Sequence, residues 1–93
     1  MIVELSLLGR LQKEEIIDGV PTFQMEEECS VFYLDLKDVI AVWDASNITG
    51  FKKYKGGKYN IFIKGIREPF LVWGDLTSFV ATWRQYKLKQ EQK

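Results

Sequence analysis

The segment Phe51 to Lys58, FKKYKGGK, gathers the side chains of this sequence best suited to hold a polyanion. Lys52, Lys53, Lys55 and Lys58 supply charge, and Phe51, Tyr54 and Tyr59 supply rings that can stack on bases. The glycine pair between them permits close backbone approach. No arginine accompanies them, which limits bidentate reading of guanine. Gly56-Gly57-Lys58 fails as a phosphate loop, because Tyr59 stands where that motif needs Ser or Thr and a strand follows instead of a helix. A solvated loop that keeps a hairpin soluble accounts for the same lysines. The formal net charge is zero, and the acidic half of the chain would repel phosphates.

The remaining polar clusters offer less chemistry. Glu26-Glu27-Glu28 is a solvated acidic run at a strand end or in a loop, without the alternating Asp/Asn ligands and glycine of a calcium loop. Asp35, Asp38 and Asp44 flank an apolar run and suit capping or strand exits, since no nucleophile or oxyanion donor accompanies them. Cys29, the one cysteine, follows three glutamates and reads as structural. Histidine is absent, which removes the commonest general base and the commonest zinc ligand. The expectation is a protein that is not an enzyme, with no metal, no cofactor and no small-molecule substrate.

Charge is divided along the chain. Residues 1–50 carry a net −7 and residues 51–93 a net +7. Such a split suits a chain that pairs with itself, with another copy, or with a charged partner. The 93 residues fit one domain, 1–93, with an aromatic content of 14% that argues against disorder. The start of the chain has no basic region before its short apolar run, and no stretch approaches a membrane span. These features point to a cytoplasmic, reducing location with no membrane partner.

The elements that must position these residues follow from periodicity. Met1 to Leu8 alternates as a strand, ended or bulged by Gly9-Arg10, and Asp18-Gly19-Val20-Pro21 marks a turn before an extended Thr22 to Met25. Ser30 to Leu34 is a strand. Val39 to Trp43 is a nearly unbroken apolar run, as in a central strand covered on both faces. Tyr59–Lys64 and Phe70–Trp73 form a hairpin around the turn at Gly65 to Pro69. Asp75 caps a helix whose Leu76, Phe79, Val80 and Trp83 make one apolar stripe, while the tail from Gln90 to Lys93 should fray. The predicted architecture is α+β: an antiparallel sheet of about five to six strands with one C-terminal amphipathic helix packed on it.

One helix covers one face of a sheet, yet both faces here are apolar. Tyr59, Ile61 and Ile63 oppose Phe62, while Phe70 and Val72 oppose Leu71 and Trp73. In the preceding strand, Val39, Ala41 and Trp43 oppose Ile40 and Val42. Either the N-terminal strands fold back over the second face, or Trp43, Phe62, Leu71 and Trp73 form a protein interface there.

From Tyr33 onward the order is strand, LKDV break, strand, loop, GGKY strand, FLVW strand and DLTSFVATW helix. This order resembles small regulatory proteins of bacterial flagellar systems and the DNA-binding domains of response regulators. The resemblance implies a regulatory or nucleic-acid-associated role. The expected function is a non-enzymatic interaction module that forms a homo-oligomer or docks on a protein partner. Its size and lack of chemistry suit an accessory protein of a phage or mobile element. The alternative is nucleic-acid binding through Lys52, Lys53, Tyr54, Lys55, Lys58 and Tyr59.

Overall fold

The computed structural model describes residues 1–91. Five strands and one helix form a single antiparallel sheet with the helix on one face, an α+β fold. The strands are β1 (Ile2–Ile17), β2 (Val20–Asp35), β3 (Val39–Asp44), β4 (Lys58–Ile63) and β5 (Phe70–Trp73), and the helix is α1 (Leu76–Glu91). The order across the sheet is β2-β1-β5-β4-β3, so the N-terminal strands join the sheet and do not fold back over it.

The dominant feature is the hairpin β1–β2, with 16 residues in each strand. Gly9 and Arg10 neither end nor bulge β1, which stays in register with β2 from Ile2↔Asp35 to Ile17↔Val20. Asp18 and Gly19 close it at φ of 51° and 78°. Positive φ at both positions matches the right-handed twist of the strands, and Asp-Gly tolerates it. Glu26-Glu27-Glu28 lies inside β2 as ladder residues and not at a strand end. An acidic run has low strand propensity, and here the pairing partner β1 overrides it.

β5 pairs with β1 only at Ser6↔Trp73 and Leu7↔Val72. Beyond that point β1–β2 leaves the body as a two-stranded arm. The molecule measures 65 × 25 × 19 Å with a radius of gyration of 16.7 Å. A compact domain of this length would have a radius of about 12 Å.

β3 is an edge strand, contrary to its apolar sequence. A register shift between Val39 and Ala41 bulges Ile40 outward. The extra residue resets the alternation. Val39 therefore faces the core with Val42, opposite Ile63 and Ile61, while Ala41 and Trp43 turn to the other face.

The core lies between the sheet and α1. Leu34, Leu36, Val39, Tyr59, Ile61, Ile63, Val72 and Phe79 are buried there. Asp75 caps α1 as its sequence position implies, its carboxylate accepting from Thr77 N, Ser78 N and Ser78 Oγ. Those bonds, led by the Ser78 hydroxyl, hold the Asp75 carboxyl below the usual range. Phe79 is the buried anchor of α1, with Leu76, Trp83 and Tyr86 half-buried beside it. Val80, placed on the stripe by spacing, is half-buried and outside that cluster. The helix runs through Gln90 and Glu91, where fraying was expected, and the last two residues of that tail lie outside the described residues.

Candidate interaction site

Cross-strand pairs lie on one face, so the register fixes which residues share the side away from α1. Lys58↔Trp73, Asn60↔Leu71, Ala41↔Phe62 and Trp43↔Asn60 place Trp43, Phe62, Leu71 and Trp73 together there. Ser6, opposite Trp73, extends this face onto β1, and Leu8 follows two residues on. The face is partly covered by the chain itself, through the loop 45–57 between β3 and β4.

Specific contacts hold that loop down. Its first turn is fixed by Asp44, which accepts from Ser46 Oγ at 2.7 Å and Ser46 N at 3.2 Å. Ala45 N donates to Lys58 O at 2.9 Å, and Ala45 is buried. Further along, the Arg10 guanidinium lies 4.7 Å from the Phe51 ring centroid. Gly50, at φ 97°, gives Arg10 room that a Cβ would fill. The Glu27 carboxylate accepts from Lys52 N and from Lys53 N at 2.8 Å. These amide bonds, Lys53 first, lower the Glu27 pKa, with help from the charge of Arg10. Arg10 and Glu27 are directly opposite one another on β1 and β2, so the loop grips the base of the arm. Leu8, just inside that grip, is buried.

Trp73 serves the same loop. Its Nε1 donates to Lys55 O at 3.0 Å, and Tyr54 packs edge-on against its ring at 5.1 Å. At the end of the loop, Gly74 N donates to Gly57 O at 2.9 Å. A Cβ on Gly57 would stand 2.7 Å from Gly74 O, so this close approach requires glycine.

The basic-aromatic segment is thereby divided. Lys52, Lys53 and Lys55 are exposed, and Tyr54 is half-buried on Trp73. Lys58 and Tyr59 are withdrawn from the surface. Lys58 is 5% exposed, with Nζ 3.4 Å from Gly56 O. Tyr59 is 2% exposed and stacks at 5.3 Å on Phe79 under α1. Burial and the Asp75 charge push its hydroxyl up to about 12. Neither side chain is displayed for a nucleic acid, because β4 begins at Lys58 and turns Tyr59 into the core. No group of three or more His, Cys, Asp or Glu that could hold a metal occurs among the described residues. No helix among them is long and apolar enough to cross a membrane.

An unmet apolar surface lies on the arm, which sequence reasoning passed over. Ile16, Phe23 and Met25 are 74%, 63% and 62% exposed. With Pro21 they share one face, since Ile16↔Pro21, Glu14↔Phe23 and Gln12↔Met25 are opposed pairs. The other face displays Leu11, Ile17 and Val20. The signal was present only as the short alternation Pro21-Thr22-Phe23-Gln24-Met25, since the facing segment Gln12 to Glu15 is four consecutive polar residues. The arm, residues 10–28, carries Arg10 and Lys13 against Glu14, Glu15, Asp18, Glu26, Glu27 and Glu28, a net −4.

No family model, curated protein or solved structure matches this chain. The resemblance to flagellar regulators and response-regulator domains therefore rests on element order alone.

Proposed function

We propose that this protein is a non-enzymatic interaction module that self-associates, with the β1–β2 arm as its recognition element. The observation that carries this reading is an arm with apolar side chains exposed on both faces. A two-stranded ribbon is marginal alone in water, and exposed apolar patches of this kind serve partner contacts. Ile16, Phe23 and Met25 replace the aromatics of the sheet as the main anchors. Trp73 and Tyr54 are engaged with the chain's own loop, while Trp43, at 42% exposed, remains available at the β3 edge. An elongated module with a projecting arm suits repeated assembly, as in an accessory protein of a phage or mobile element. Binding of nucleic acid is the weaker reading, since it is left with Lys52, Lys53 and Lys55 and no free stacking ring beside them except the half-buried Phe51.

Light scattering after size exclusion at ~100 μM tests this reading directly. The wild type should show a mass above one copy, and the double variant Phe23→Ser with Met25→Ser should run as a folded monomer. A wild-type monomer, or a variant of unchanged mass, overturns it.

A further inference from the structure

We infer that the arm of one copy docks on the exposed flank of α1 of a second copy, a contact that rests on the arm being the recognition element. Two shallow grooves adjoin along that flank. One is lined by Leu76, Thr77, Val80, Ala81 and Arg84, and the other by Trp83, Arg84, Lys87, Leu88 and Glu91. Arg84 belongs to both, so they form one continuous stripe. The stripe is apolar along its length, with Val80, Ala81 and the 51% exposed Leu88, and Arg84 and Lys87 stand on it as cations.

Charge selects the occupant. The arm carries −4 and the rest of the chain the balancing +4. Arm-on-arm packing would bring two such negative ribbons together, which costs association and rate. Arm on α1 brings Glu14, which shares the face of Phe23, toward Arg84 and Lys87, with Ile16, Phe23 and Met25 meeting Val80 and Leu88. Dimensions agree as well. Eight residues of extended ribbon span about 27 Å. The helix from 77 to 91 rises about 21 Å. Within one copy the arm points away from the body, so its ribbon faces need a helix from another molecule. The interface is heterologous: each copy gives an arm and offers a flank, and chains can close into a ring or continue.

Complementation tests this contact. One variant, Phe23→Ser with Met25→Ser, loses its arm surface but keeps the flank. The other, Arg84→Glu with Lys87→Glu, loses the flank but keeps its arm. All four positions are exposed, so both variants should fold. Each alone should be monomeric by light scattering, and an equimolar mixture should give a one-to-one pair and nothing larger. Glu14→Lys, added to the flank variant, should restore association toward the wild-type mass. If the wild type associates and the arm variant abolishes this while the flank variant does not, the arm is the recognition element but α1 is not its seat, and this inference fails alone. Two monomeric variants that do not pair on mixing overturn it too, because an intact arm and an intact flank would then have met without binding.

Discussion

At the residue scale, Glu27 does what neither its sequence nor its neighbours announce. Within an acidic run it reads as solvated charge, yet its carboxylate receives two loop amides and faces Arg10. Its pKa is lowered on folding. The stabilisation is therefore present above the unfolded carboxylate range near pH 4.5 and is lost as pH falls through the depressed folded value. The loop 45–57 should loosen over that acid window, seen as faster amide exchange at Lys52 and Lys53 and a change in Trp73 fluorescence. Glu27→Gln should show the loosened loop already at pH 7 and no further change in the window. Tyr59 makes the opposite case. Its pKa is raised to about 12, so the stability it contributes is complete below pH 10 and is lost as pH rises through about 12. Tyr59→Phe should melt less differently between pH 9 and 11.5 than the wild type does. Equal losses in both proteins would mean that Tyr59 is not the buried alkaline titrant.

At the element scale, α1 is anchored by fewer side chains than its spacing implies. Phe79, 6% exposed, stacks on Tyr59, and Trp83 lies 6.5 Å further along and is only partly buried. Phe79→Ala should cost about 3–5 kcal/mol in denaturant melts, as truncation of a buried aromatic does. Trp83→Ala should cost less, because it leaves a smaller cavity. A larger loss at Trp83 would mean that the helix face is centred elsewhere. The cap, the β4–β5 hairpin and the turn at Asp18-Gly19 were legible because local chemistry alone decides them. The arm was not legible, since alternation broken by charge resembles loop and only the partner strand keeps it extended. The edge position of β3 was hidden too. Its apolar run counts faces correctly only once the bulge at Ile40 is known. The four sheet aromatics and aliphatics grouped by parity do share a face, but no local pattern shows that a loop with three exposed lysines would lie over it.

At the scale of the whole molecule, the division of charge becomes a division of shape. Acidic residues concentrate on an arm that extends a 93-residue chain to 65 Å, and basic residues lie on the body and α1. Some of this charge is met inside one copy, where Glu27 holds the lysine loop. Glu14, Glu15 and Asp18 near the tip are not met this way, because they lie past the last contact with the body. Two forces then act on association at different ranges. Opposite charge steers the encounter over distances comparable with the Debye length, about 8 Å at 0.15 M salt. Burial of Ile16, Phe23 and Met25 acts only after contact and holds the pair together. Raising salt from about 0.05 to 0.5 M should therefore slow association markedly while changing dissociation little, as read by stopped-flow fluorescence of Trp83 beside the α1 grooves. Phe23→Ser should do the reverse, speeding dissociation with little effect on the encounter. Association that quickens with salt would instead mean that like-charged arms meet each other, and the charge asymmetry would then oppose assembly.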